Sequence, residues 1–524
     1  MPSLIPKNNK WIILGILDLF YSFCLVALAS ISKLVMDNAE LHNIDRVITF
    51  SLIFIGILLL GVVFKFIENI FYAKISLKRE GELKALLFKH RLENSLAQDN
   101  VHTGVLIQAF TTDVRNIVSG EVDTYPNIFF ELGRLGFAVI SVFFIDWRFL
   151  LVLLAIGLIG LLVARIYSRV LKRLHKDTLE GEGRLNSFFQ ESMENIKLIQ
   201  SYEANENFNS YYLANENLYF KNKRRMYRFQ LIAGNILTLG SNIIYAGCIF
   251  YGGYSIAKGL MSYGTLIAII QLMGHIQSPI MSFSNIINHY SLYKTSYNRL
   301  NDRLNNNPLE KPALISFDRI EANNITFGYN DDSLFKNLSF TINNGDIIQI
   351  KGHSGIGKTS LFMILLGFLE PKEGSLRAYY NGKEYPYSDT KGLFSYVAQE
   401  NILFSGTIRD NFNLLVGKDC NIEEALRFSN VYNEIMELPA GLDTRLNERG
   451  SGLSIGQLQR IMIAIAYEKH RPIFLLDEFT SALDEENSKI IINNLRKENK
   501  TIIFISHKNE AIEPNIIIDL EKYL

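Results

Sequence analysis

The stretch "IIQIKGHSGIGKTS", Ile347–Ser360, decides how the second half of this chain is read. A short apolar run, Ile347–Ile350, leads into Gly352-His353-Ser354-Gly355-Ile356-Gly357-Lys358-Thr359, and a further apolar run follows. This is G-x-x-x-x-G-K-[ST] in a strand–loop–helix setting. The glycines free the backbone to turn its N–H groups toward an anion, and the start of the following helix adds the positive end of its dipole. The loop through Ser360 is expected to cradle the phosphates of ATP. Lys358 reaches the β- and γ-phosphates, and Thr359 ligates Mg2+.

From about residue 310 the chain reads as short β-rich runs, turns and helices, an α/β pattern. "PIFLLDE", Pro472–Glu478, places four apolar residues before two carboxylates. That suits a buried parallel strand delivering acid at its C-terminal edge. Asp477 is expected to hold Mg2+, and Glu478 to orient or deprotonate an attacking water. "TIIFISH", Thr501–His507, ends in a histidine placed to sense the γ-phosphate.

Working outward, the chain has 524 residues, enough for two or three domains. Its formal net charge is zero, so composition gives no pull toward nucleic acid. Cys24, Cys248 and Cys420 lie far apart and imply no disulfide framework. Six stretches, near 11–34, 47–72, 125–145, 148–168, 229–256 and 261–285, are apolar and long enough to cross a bilayer, which takes about 20 residues. The third and fourth share a tight connection at Asp146-Trp147-Arg148, and the fifth and sixth turn around Lys258-Gly259. Lysine and arginine collect before the first span, after the second and fourth, and before the fifth, whereas the loop 35–46 is acidic. By the positive-inside rule the N-terminus is cytoplasmic, and an even number of spans leaves the C-terminal half there too. The long connections 73–124 and 169–228 carry apolar residues at helical spacing and are expected to be helices continuing out of the membrane. Gln271, His275, Ser278 and Ser282 fall on one helical face of the sixth span, and Asn235 and Asn242 on one face of the fifth. Such faces serve as interhelical hydrogen-bonding surfaces or as walls of a substrate cavity.

Together these residues amount to a resemblance. The chain resembles an ATP-binding cassette (ABC) exporter half-transporter of the type IV, B-family-like fold. That implies an all-α transmembrane domain of six helices over 1–305, then an α/β P-loop ATPase domain over 306–524. "VAQENILFSGTIRDN", Val397–Asn411, resembles the Q-loop, with Gln399 linking Mg2+ and water to the membrane domain. "ITFGYN" resembles the A-loop, with Tyr329 stacking on adenine. "NERG", Asn447–Gly450, is similar to the X-loop, and "SALD", Ser481–Asp484, matches the D-loop, with Asp484 beside the nucleotide. "LSIGQ", Leu453–Gln457, resembles the signature loop, which in this family caps the γ-phosphate held by a second subunit. Ser454, Gly456 and Gln457 are the donors the resemblance implies there. Ile455 stands where the family has glycine, and Leu458 and Ile465 where it commonly has arginines.

The resemblance implies export by alternating access, driven by ATP with Mg2+. Thr111–Gly120 and Ser187–Glu203 would be the coupling segments. Glu478 and His507 are both present, which favours a homodimer, and the altered signature leaves a heterodimer open. Only ten residues precede the first span, which speaks against a leader-cleaving peptidase domain. A small peptide is the first expectation for cargo, with a lipid or drug-like molecule behind it. A membrane-bound ATP switch regulating a partner is the reading from another class, and the intact Glu478 argues against it. The expected location is a bacterial plasma membrane, with the N-terminus and nucleotide domain cytoplasmic.

Overall fold

The computed structural model describes residues 5–6, 8–93, 103–304, 314–329, 332–386, 390, 392–400, 402–447, 450, 452–506 and 512–524. The side chains at 103–105 and 146–164, and at a few single helical positions, lie outside that description. The chain divides into two compact units, one chiefly up to residue 306 and the other chiefly from residue 307.

The first unit is helical: α1 (Trp11–Glu40), α2 (Ile44–Glu93), α3 (Thr103–Gln108), α4 (Val114–Ser119), α5 (Tyr125–Glu194), α6 (Ile196–Ser201), α7 (Asn205–Ala257) and α8 (Tyr263–Leu304). Where they are described, the expected cytoplasmic connections are mainly helical, with α2 continuing to Glu93 and α5 to Glu194. The turn between α7 and α8 falls where Lys258-Gly259 predicts it. Gly259 takes φ +69°, its N–H donates to Ile256, and the Leu260 N–H donates to Ser255. This pair of bonds satisfies the last carbonyls of α7, and glycine takes the left-handed position without strain. The turn expected at Asp146-Trp147-Arg148 is not seen, because the backbone is helical throughout Tyr125–Glu194. No glycine or proline falls between 137 and 156, so nothing local breaks the ladder there.

Among the described residues, four helical stretches are long and apolar enough to cross a membrane: Trp11–Glu40, Ile44–Leu92, Leu106–Ile145 and Asn205–Ala257. The expected span 148–168 falls mostly on side chains outside the description. The expected span 261–285 lies in α8, where Gln271, His275 and Gln277 dilute the apolar run and Pro279 interrupts it. Small residues let α1 and α5 approach closely: a Cβ on Gly133 would stand 2.6 Å from the Ser22 hydroxyl. Around this crossing pack Val26, Ala29, Ala138, Val142, Ile269 and Leu272.

Two π-helical turns, Ala109–Asp113 and Gly120–Thr124, interrupt the run from α3 to α5. Each carries a buried carboxylate. Asp113 accepts from the Ser296 hydroxyl at 2.8 Å and lies 3.4 Å from the Arg299 guanidinium. Glu121 accepts from Arg79 Nε at 2.8 Å and from its Nη2 at 2.9 Å, and the same guanidinium donates to the Pro6 carbonyl.

The second unit contains an antiparallel sheet of order β2-β1-β4-β5, built from β1 (Arg319–Phe327), β2 (Phe335–Asn343), β4 (Glu373–Tyr380) and β5 (Lys383–Pro386). A parallel sheet of order β11-β3-β10-β9-β6 joins β3 (Ile347–Lys351), β6 (Phe394–Val397), β9 (Ile473–Asp477), β10 (Thr501–Ile505) and β11 (Ile516–Asp519). A short ribbon pairs β7 (Gly406–Thr407) with β8 (Arg445–Leu446). The helices are α9 (Lys358–Leu365), α10 (Ile408–Leu415), α11 (Ile422–Phe428), α12 (Tyr432–Met436), α13 (Ile455–Glu468) and α14 (Glu485–Lys497). Every residue of β9 and β10 is buried, as expected of a sheet covered on both faces. Phe474, Leu476, Ile502 and Phe504 pack with Ile461 of α13. The alternate residues Leu475, Ile503, Ile505 and Ile350 pack with Phe362 of α9. Adjacent β3, β10 and β9 therefore bring their C-terminal ends to one edge, where a ligand crevice forms in sheets of this kind.

Candidate nucleotide site

The P-loop leaves β3 through Gly352 (φ +146°), Gly355 (φ +87°) and Gly357 (φ +105°), conformations that side-chain-bearing residues rarely adopt. Ser354 lies exposed in the loop, and Ile356 is buried and anchors it from below. Lys358 Nζ folds back to donate to the Gly352 carbonyl at 2.7 Å and the His353 carbonyl at 3.2 Å. A cavity of about 720 Å³ adjoins the loop, lined by Gly352, His353, Lys358 and Ser506 among others. Tyr329 is exposed, and its hydroxyl lies 3.4 Å from that of Ser360 near the start of α9.

Asp477 ends β9 and Glu478 follows it in the left-handed region, φ +48°. That turn directs the two neighbouring carboxylates differently. Asp477 accepts from the Thr359 hydroxyl at 3.1 Å, and Glu478 accepts from the Gln399 amide at 3.0 Å. Burial raises the pKa of Asp477, against the Thr359 hydrogen bond and the charge of Lys358, which lower it. A hydroxyl and a carboxylate side by side are hard oxygen donors and fit Mg2+. His507 lies outside the described residues, as do Glu448 and Arg449 of the expected X-loop.

Ser454 caps α13. Its hydroxyl accepts from the Gln457 N–H at 3.2 Å, and Gln457 Oε1 accepts from the Ser454 N–H at 3.0 Å. The other end of the Gln457 amide donates to Glu434 of α12 at 3.0 Å, so this side chain is spent on the cap and its neighbour. Ile455 points outward at 68% exposed, as a tolerated replacement of glycine requires. Leu458 and Ile465 are buried in the core. Asp484 caps α14 by accepting from the Asn487 N–H at 2.7 Å, and this bond holds its carboxyl below the usual range.

The family model described as "ABC transporter transmembrane region" matches residues 11–280, and the model described as "ABC transporter" matches residues 335–481. The chain belongs to the ABC transporters. It is 26% identical, over 78% of its length and 70% of the relative's, to the "ATP-dependent lipid A-core flippase" of Syntrophus aciditrophicus (strain SB). It is 29% identical, over 87% of its length and 61% of the relative's, to the human "ABC-type oligopeptide transporter ABCB9". The structure described as "Structure of a bacterial Atm1-family ABC exporter with ATP bound" matches with a TM-score of 0.82 at 21% identity, covering 98% of this chain and 93% of the other. The protein is thus an ABC exporter with an ATP-hydrolysing domain, and the fold expected for it is the one observed.

On this ABC exporter the sequence-predicted residues of the second unit converge in two groups. Thr359, Asp477, Glu478 and Gln399 meet at the strand ends, and Ser454, Gly456 and Gln457 meet at the start of α13. Asp484 stands at the start of α14. In the first unit Gln271, Asn235 and Asn242 are exposed, and His275, Ser278 and Ser282 are half-buried. Ser282 bonds within its own helix, to the Pro279 carbonyl at 3.1 Å. Sequence reasoning missed four polar groups beside the site. Glu434 accepts from Arg460 of α13, and Glu521 accepts from the His353 N–H of the P-loop at 3.0 Å. Gln459 is fully buried two residues beyond the signature loop. Only Gln459 and Arg460 left a local signal, as polar residues on the buried stripe of an apolar helix.

Proposed function

We propose that two copies of this chain form an exporter that moves a small peptide out of a bacterial cytoplasm. On this reading residues 1–305 form the membrane domain, with six spans, and 306–524 the nucleotide domain. The N-terminus and nucleotide domain lie in the cytoplasm. The P-loop N–H groups and Lys358 bind the ATP phosphates, Tyr329 stacks on the adenine, and Thr359 and Asp477 hold Mg2+. The ion offsets negative charge on the β- and γ-phosphates when bound. Gln399 steadies the Glu478 carboxylate, which takes a proton from water as the water oxygen attacks the γ-phosphorus. The bond to the β–γ bridging oxygen breaks, and ADP and phosphate leave. His507 completes the γ-phosphate contacts. Ser454 and the Gly456 backbone, at a helix N-terminus, face the γ-phosphate bound by the other copy.

The observation that carries the cargo reading is the set of uncharged amides, Asn235, Asn242 and Gln271, exposed on otherwise apolar helices. An amide facing lipid loses its hydrogen bonds, so such a face belongs against a wet cavity or a polar cargo. Similarity to a protein named as an oligopeptide transporter supports the same reading. A lipid cargo is the second reading, favoured by similarity to a protein named as a lipid A-core flippase. Inverted vesicles containing the purified protein decide between them. ATP-dependent accumulation of members of a peptide library, absent in Glu478→Gln, supports peptide export. Flipping of labelled lipid without peptide uptake selects the second reading. ATP hydrolysis with no flux of peptide, lipid or drug-like probes reveals a switch.

A further inference from the structure

Gln459 has no exposed surface, and both ends of its amide are engaged. Its Nε2 donates to the backbone carbonyl of Glu478 at 3.2 Å. Its Oε1 accepts from the backbone N–H of Ala482, in "SALD", at 3.2 Å. The same face of α13 presses on this loop one turn earlier, where a Cβ on Gly456 would stand 3.1 Å from the Ala482 carbonyl oxygen. Glu478 is held on its other side as well, its N–H donating to the Ile505 carbonyl of β10 at 3.1 Å. The left-handed conformation of Glu478 is thus fixed from β10 and from α13, while its carboxylate meets Gln399.

We infer that Gln459 is a positioning residue that ties the signature helix to the catalytic carboxylate of its own subunit. The inference rests on the reading of Glu478 as the base. The N-terminus of α13 serves the nucleotide of the other copy, and Gln459, one turn along, grips the peptide carrying Glu478. A movement of α13 as it closes on the partner's phosphate therefore reaches Glu478 through one rigid amide. An apolar side chain of similar volume keeps the packing of α13 and removes both bonds. A glutamate keeps the acceptor for Ala482 and, when ionised, loses the donor to Glu478.

The test uses the full-length transporter in lipid nanodiscs, comparing Gln459→Met, Gln459→Glu and Glu478→Gln. ATP affinity is read with a fluorescent nucleotide, turnover by phosphate release, and folding by thermal unfolding. Both Gln459 variants are expected to lose about tenfold in kcat, with ATP Kd within about twofold of the parent. Equal losses in affinity and turnover, or a kcat within about twofold of the parent, overturn the proposal, and so does failure of both variants to fold. If only Gln459→Met misfolds, Gln459→Glu decides. Glu478→Gln keeps the two questions apart: retained turnover there removes the base reading, whereas its loss alongside normal Gln459 variants removes only this inference.

Discussion

Burial beneath the P-loop raises the pKa of Asp477, with Thr359 and Lys358 only partly opposing it. A carboxyl whose folded pKa is raised contributes stability below its unfolded pKa, and that contribution is lost as pH rises through the folded value. In its ionised form Asp477 therefore destabilises the nucleotide-free protein. Asp477→Asn should raise its Tm by a few degrees at pH 7, with the gap closing as pH falls through the raised pKa. The same variant should lose Mg2+-dependent ATP hydrolysis. Thermal unfolding across pH checks the first outcome and phosphate release the second; an unchanged or lowered Tm at pH 7 counts against the account. Glu521 sets a smaller effect, because its contact with the P-loop is half-exposed and screened by salt. Glu521→Gln should tighten ATP binding by about twofold at low ionic strength and hardly at all at high salt, measured by nucleotide titration. Asp477 was legible in the sequence because a strand ending in two acids has one chemical use beside a P-loop. Glu521 was not, because 168 positions separate it from His353 and no local pattern joins them.

The helix α13 shows how a capped element serves two ends. Ser454→Ala removes an N-cap, at a cost of about 1 kcal/mol, together with the proposed contact to the other copy's phosphate. Ser454→Asp separates these roles. Aspartate caps a helix as well as serine does, yet it presents a negative charge to a phosphate. It should fold with nearly parental Tm and hydrolyse almost no ATP; parental turnover would detach Ser454 from the phosphate. The π-helical turns of the first unit were invisible to sequence periodicity, since one extra residue per turn leaves no local mark. Their carboxylates matter to stability. Glu121 and Arg79 form a buried bidentate pair, and removing one partner strands the other charge. Glu121→Ala should cost roughly 3–5 kcal/mol, and Arg79→Met with Glu121→Leu should recover most of it, read by unfolding in detergent. The turn expected at Asp146-Trp147-Arg148 failed for a related reason. Charge alone does not break a helix, whereas Lys258-Gly259 succeeds because glycine closes α7.

For the whole molecule, the proposed role of the signature loop at another subunit's nucleotide requires a second copy. In this chain the Ser454 hydroxyl and N–H are both engaged with Gln457 in the cap of α13. In the proposed head-to-tail pairing of two copies, Ser354 of one P-loop would lie near Ser454 of the other copy, with ATP between them. A Ser354→Cys/Ser454→Cys double variant, made in a Glu478→Gln background with Cys24, Cys248 and Cys420 replaced, tests that geometry. With ATP and a mild oxidant it should run as a dimer on a non-reducing gel, and without ATP as a monomer. Mixing the two single-cysteine chains should give the same dimer. A monomer under both conditions would mean that the signature loop pairs with a different subunit. A dimer formed equally without nucleotide would mean that ATP is not what draws the two sites together.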